Sequence, residues 1–207
     1  MIKEELGIFE QPFNFVRKVK HGKHIVLFYE EPEYARMILF EFIKSGLNEG
    51  QHCIYVSEED EEAVKREMSD AGINVDQYTK NDLLSIHQIP NLAAEQIPQI
   101  TLERLVQITV HPWTKKEDKP ERIVLRCIFK TDTEEQIRLN LKWEKDYRYR
   151  DLKDLQGTMI CTYSVNNIIP TISDSGGYGI WMNELLEIYD GVIFARKFWK
   201  GVAFNLD

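Results

Sequence analysis

Nowhere does the sequence hold an apolar run approaching the roughly 20 residues that a membrane-spanning helix needs. Its amino terminus, MIKEELGIFEQ, also lacks the continuous apolar core of a secretion signal, so a cytoplasmic protein with no membrane association is expected. Positive charge is scarce: 26 Lys and Arg stand against 34 Asp and Glu, giving a formal charge of −8. That balance argues against broad attraction to nucleic acid or anionic lipid. Cysteine is limited to Cys53, Cys127 and Cys161, each inside an apolar run. An odd count without paired spacing fits buried free thiols in a reducing compartment. The five histidines show no metal-ligand spacing with one another or with a cysteine. No metal and no cofactor are expected.

What is present suffices for one sizeable core: 207 residues, 43% apolar and 11% aromatic. The chain reads as a single domain over 1–207, with 1–20 as an amino-terminal extension whose Phe9, Phe13 and Phe15 clip onto a sheet edge or a second subunit. His24 to Tyr29 (HIVLFY) is an apolar, β-branched and aromatic run suited to a central strand. Pro32 then opens a helix that is apolar around most of its circumference and closed by Gly46 and Gly50. Gln51 to Val56 is the second strand. Ser57 is expected to cap the next helix, with Glu58 to Glu62 as its acidic first turn and Val64, Met68 and Ala71 as its apolar stripe.

Leu83 to Ile89 suits a third strand, Ile97 to Val110 a helix, and Arg122 to Phe129 a fourth strand. A long helix follows to about Leu155, with Leu139, Trp143 and Tyr147 on one face. Gly157 to Tyr163 is a fifth strand, WMNELLEIY a short helix, and GVIFARKFWKGVAFNL two strands around a tight turn at Trp199 to Gly201. Strands alternating with helices imply a mainly parallel central sheet covered on both faces, a three-layer α/β/α domain ending in an antiparallel hairpin.

The stretch YVSEED, residues 55–60, places Glu58 and Glu59 just past a buried strand. Ligands of open α/β sheets collect at such carboxyl ends. Two readings stay open: a solvated acidic helix turn, or part of a ligand pocket.

Ile38 to Val75, with a helix ending F-x-x-x-G-L, a strand, a glutamate pair and a helix ending at glycine, resembles the RecA-fold ATPases of the KaiC type. Tyr189 to Lys197 (YDGVIFARK) resembles their closing segment. The resemblance matches Glu58 and Glu59 to the glutamates that polarise the attacking water in ATP hydrolysis. It also implies a phosphate loop between Tyr29 and Ile38, where this chain has EEPEYARM, without glycine or lysine. Backbone amides fold inward around phosphates only where glycine removes the Cβ. Arg36 and Met37 stand near the hydroxyl positions of that loop, and Arg36 cannot ligate magnesium. The aspartate expected on strand four is replaced by Arg126.

With both devices missing, the pattern Gly22, His24 and Tyr29, the pair Trp143 and Glu144, and CTYSVNNI (Cys161 to Ile168) resemble the MEDS sensory domains. These are RecA-like modules without the Walker A phosphate loop, inferred to sense small molecules. That resemblance implies a non-enzymatic sensory or signalling module with an unidentified small molecule or regulatory protein as partner, and RecA-like domains often form homo-oligomers. Candidate ligand-binding residues are His24, Tyr29, Glu30, Arg36, Glu58, Glu59, Phe129 and Tyr163; the strand-end group converges if the sheet order is RecA-like. His24 could donate to a ligand or switch with pH, but a lone strand histidine is more often hydrogen-bonded structure. KWEKDYRYR, residues 142–150, reads as a salt-bridged amphipathic helix rather than a nucleic-acid platform. Two rivals remain: a divergent ATPase using Arg36 and the SGGYG stretch (Ser175 to Gly179), and a pure protein scaffold.

Overall fold

The computed structural model describes residues 11–20, 22–89, 121–126, 142, 145, 157–166, 183, 184, 186–197 and 200–206. Their elements are α1 (Pro12–Lys18), β1 (His24–Tyr29), α2 (Pro32–Asn48), β2 (His52–Ser57), α3 (Glu61–Asp70), α4 (Val75–Lys80), β3 (Leu84–Gln88), β4 (Glu121–Arg126), β5 (Thr158–Ser164), β6 (Gly191–Lys197) and β7 (Lys200–Asn205). The seven strands form one sheet in the order β3-β2-β4-β5-β1-β6-β7. All pairings are parallel except β6 with β7, the expected closing hairpin.

β1 is buried at all six positions, which is why its sequence is an unbroken apolar run rather than an alternating one. Paired residues of a parallel sheet share a face, so the register sorts the strands. Tyr29, Tyr55, Val124, Arg126, Thr162 and Ile193 look toward α2. His24, Phe28, Ile54, Leu125, Cys161 and Tyr163 look the other way. Both faces are deeply buried. α2 lays Tyr34, Ala35, Ile38, Leu39, Phe42, Ile43 and Leu47 on the first face. Burying each large apolar side chain contributes about 1.5–3 kcal/mol before entropy is subtracted. This face is the main core.

α1 packs on α2, β6 and β7, burying Phe15 and Val16 and setting Phe13 5.9 Å from Tyr34. The expected clip therefore lies on the hairpin edge for Phe13 and Phe15; Phe9 is outside the described residues. Two local expectations are corrected. Ser57 does not cap α3: it is the last residue of β2, paired with Arg126 and Gln88, and its carbonyl accepts the Ile89 N–H rather than the first amide of a helix. Asp60 caps instead, its carboxylate accepting the Ala63 N–H at 2.9 Å, so Glu58 and Glu59 precede the helix. Ala71 is exposed beyond the helix end, leaving Val64 and Met68 as the buried stripe. A further helix, α4, was not expected; Asn74 caps it, and with six residues it is too short to show a period.

The sites of Ile97 to Val110, the 131–155 helix, Trp143, Glu144, Cys127, Phe129 and SGGYG lie outside the described residues, apart from Lys142 and Lys145, which are helical.

Candidate functional site

β1 and α2 are joined by Glu30 and Glu31 alone. Pro32 at the first turn has no N–H to offer, and Glu33 adds a carboxylate to the same turn. Anions bind helix amino termini through free amides and a positive dipole end. Three carboxylates and a proline oppose that here.

Charge gathers instead one strand pair away. Arg126 closes β4 beside Ser57, the end of β2. Two residues past Ser57 stands Glu59, whose own N–H is steadied by the Ser57 Oγ at 3.3 Å. One oxygen of the Glu59 carboxylate accepts from Arg126 Nη1. The other accepts from Arg36 Nη2 at 2.7 Å. Arg36 reaches across from α2 and uses its Nη1 on Glu67 of α3. The result is a chain, Glu67–Arg36–Glu59–Arg126, that ties α3, α2 and the ends of β2 and β4 together.

Burial grades along this chain: the side chain of Arg126 is 11% exposed, Arg36 22% and Glu59 34%. The guanidiniums are therefore held and partly desolvated, while the carboxylate between them still meets water. Burial works against the charge on Arg126, yet Tyr55, Glu59 and Tyr29 around it more than compensate and hold its pKa above the ordinary value. The same contact is felt by Tyr55. Full burial pushes its phenol up to about 12, against the pull of the Arg126 charge. The Tyr55 hydroxyl lies against that guanidinium without completing a hydrogen bond of proper geometry. On the other side, Thr162 is the register neighbour of Arg126, 2% exposed, and its hydroxyl has no hydrogen-bond partner among the described residues.

Of the residues singled out in the sequence, Tyr29, Arg36 and Glu59 are brought together, around Arg126. Glu30 sits at the same rim but turns toward β6, accepting from Arg196 Nε at 2.9 Å. Its carbonyl accepts from Asn166 Nδ2 at 3.2 Å. Glu58 is half-buried on the β3 side, where its carbonyl accepts from Gln88 at 3.2 Å. Tyr163 shares the rim yet faces the opposite side of the sheet, 6.1 Å from Phe28. His24 lies at the amino end of β1, the far rim, with Nε2 3.3 Å from Cys161 Sγ and its ring 4.3 Å from Tyr189. Phe129 lies outside the described residues.

Sequence reasoning treated Arg126 as a lost aspartate rather than as a site residue, and it passed over Tyr55 and Thr162. A signal existed: RIVLR brackets an apolar strand with arginines, and a charge ending a buried strand requires a partner. Arg122, the other bracket, is structural. It is 3% exposed and donates to Gln51 Oε1 at 2.7 Å and to the carbonyls of Val16 and Phe42, each at 3.0 Å. No group of three or more His, Cys, Asp or Glu able to hold a metal ion occurs among the described residues. No helix among them is long and apolar enough to cross a membrane.

The model of the methanogen/methylotroph, DcmR sensory domain, MEDS, matches residues 23–174, well over half of the chain. The chain belongs to the MEDS family. Among solved structures, this MEDS domain is similar to a KaiC-like protein of the hyperthermophilic archaeon Pyrococcus horikoshii OT3, with a TM-score of 0.56 and 17% identity. The match covers 85% of this chain and 72% of that one. At such identity the likeness establishes a KaiC-like RecA fold and nothing finer. No curated protein matches the chain. Membership and fold together make the MEDS chain a sensory or signalling module.

Proposed function

We propose that this chain is a non-catalytic sensor, which binds a small molecule at the carboxyl rim of its sheet and transmits the event as a change in shape. One observation carries the reading: both oxygens of Glu59 are engaged by guanidinium groups. A carboxylate that polarises water for attack on a γ-phosphate needs an oxygen directed at that water and a phosphate held in reach. Glu59 is instead a bridge between two cations. The two-residue β1–α2 connection, with Pro32 and its carboxylates, supports the same reading, because the approach to the α2 amino terminus lacks the amide that Pro32 cannot supply and is flanked by negative side chains.

The experiment is a paired one on the purified chain with ATP and magnesium. A nucleotide that binds the native state at a hundredfold excess over its Kd stabilises it by about 2.7 kcal/mol, readily seen as a thermal shift. The sensor reading expects no saturable shift and no phosphate release. ATP turnover that disappears in Glu59→Gln or Glu58→Gln would establish the chain as an ATPase and overturn the proposal.

A further inference from the structure

We propose that Arg36 and Arg126 form a carboxylate-binding site which the chain fills with its own Glu59, and that the sensed ligand is a small monocarboxylate that takes Glu59's place. This inference rests on the sensor reading above and names the class of ligand for that rim.

Three observations lead to it. First, the site is not exhausted by its ion pairs. Among the described residues, Arg36 Nε, the Tyr55 hydroxyl and the Thr162 hydroxyl are buried without a hydrogen bond of their own. Tyr55 is fully buried and Thr162 2% exposed, and both belong to the sheet face that carries Arg126. A native fold seldom leaves buried polar groups unsatisfied unless something else is meant to meet them. Two donors flanking a guanidinium are what a carboxylate free of the 58–60 bend could also reach with the lone pairs that the two forks leave over.

Second, the anion is the replaceable member. Arg126 is set by β4 and Arg36 by α2, both regular elements, whereas Glu59 stands in the bend between β2 and the Asp60 cap. Its side chain is the most exposed of the three, at 34%. Swinging it to solvent disturbs neither the strand nor the α3 cap.

Third, charge selects the ligand. Arg36 and Arg126 are balanced by Glu59 and Glu67. A monoanion entering as Glu59 leaves preserves that balance. A neutral molecule would strand two partly buried cations, a heavier penalty than its own contacts offset. A carboxylate, moreover, is the group the two forks already hold. Its arrival frees the 58–59 bend from both arginines, while the ligand bridges α2 to β4 in its stead and Arg36 keeps Glu67. That is a local event able to move α3 relative to the sheet.

Sodium propionate, the analogue of the glutamate side chain, is the probe. It is titrated into the wild-type chain and into Glu59→Ala, against sodium chloride at matched ionic strength, reading the melting temperature. The expected result is a saturable rise with propionate in Glu59→Ala, with an apparent Kd at least tenfold lower than in the wild type, and no rise with chloride. Propionate that acts no differently from chloride, or equally on both proteins, overturns the site. Inorganic phosphate saturating Glu59→Ala where propionate does not overturns the carboxylate assignment. Should Glu59→Ala fail to fold, the wild type decides by NMR. Saturable movement of the Arg36 and Arg126 Nε resonances with propionate supports the site, and fixed resonances overturn it. ATP turnover in the assay above would sink the sensor reading whatever propionate does; silence toward both ATP and propionate leaves that reading standing and removes only this inference.

Discussion

Arg122 and Arg126 occupy opposite ends of β4, on the same face and with a similar degree of burial, yet they are satisfied in different ways. At the amino rim, Arg122 is enclosed by neutral acceptors, Gln51 and two main-chain carbonyls, and lies 4.8 Å over the Phe42 ring. Its one carboxylate, Glu49, is 3.5 Å away and half exposed. Burial lowers its pKa with little to oppose it. At the carboxyl rim, Arg126 has an anion in direct contact and phenols beside it, and its pKa is raised. The first arginine is a rivet whose close partners are main-chain carbonyls and the buried Gln51. The second is half of a charge pair whose other half can leave. Structural permanence belongs to the amino rim and exchangeable chemistry to the carboxyl rim, as open α/β sheets generally divide them.

The contrast breaks most visibly at Arg122. Arg122→Met removes the guanidinium donor from three buried acceptors, and a loss of about 3–5 kcal/mol is expected, read as a lower urea midpoint at unchanged m-value. If that variant loses less than Arg126→Met, the assignment of roles is reversed.

Tyr55 sharpens the carboxyl-rim side through pH. Its folded pKa, about 12, lies above the ordinary 10 because burial disfavours the phenolate. A group raised in this way contributes stability that is complete below pH 10 and is lost as pH climbs through about 12. Tyr55→Phe should be nearly neutral at pH 7. Between pH 10 and 12 it should decline less steeply than the wild type, with a gap of order 2 kcal/mol at the upper end. Parallel denaturation profiles would remove Tyr55 from the buried surroundings of Arg126.

Gly46 tests the amino rim from the neighbouring helix. A Cβ there would sit 2.5 Å from Arg122 Cδ and 2.9 Å from Cys53 Sγ. Gly46→Ala should cost about 1–3 kcal/mol despite the better helix propensity of alanine. In Gly46→Ala combined with Arg122→Ala, which removes the Cδ, the part of that clash owed to Arg122 should disappear, a coupling measurable in a double-mutant cycle.

A small loss of stability is expected at Arg126. Removing it releases one oxygen of Glu59, whose side chain is already a third exposed and keeps Arg36 on the other oxygen. Arg126→Met should therefore cost only about 1 kcal/mol by equilibrium unfolding. In the Glu59→Ala background it should nonetheless abolish the propionate response. A small stability change with complete loss of response is the signature that separates a recognition residue from a rivet.

Much of the scaffold was legible in the residues. The burial of β1 follows from HIVLFY, an unbroken apolar run that suits only a strand covered on both faces, and α2 begins where Pro32 says it should. The hairpin of β6 and β7 was legible for the same kind of reason. The start of α3 was not. Ser57 and Asp60 are both good caps, and the choice fell to Asp60 because the Ser57 carbonyl is spent on the Ile89 N–H, across to the segment leaving β3. That long-range hydrogen bond has no local trace. Tyr29 ends β1 and Tyr163 stands one residue before the end of β5, and which side of the sheet each one meets depends on register, which periodicity within an all-apolar strand does not reveal.

By its own composition and order, the chain determined that it would form a mainly parallel, doubly covered sheet, that the turn after β1 would hold neither glycine nor lysine, and that arginines would end a buried strand. Only the tertiary structure decided that Glu59 would lie between Arg36 and Arg126. Those three residues come from a bend, a helix and a strand far apart in sequence, and the strength of a charge contact depends on distance and on the water excluded around it, neither of which is written in the order of residues.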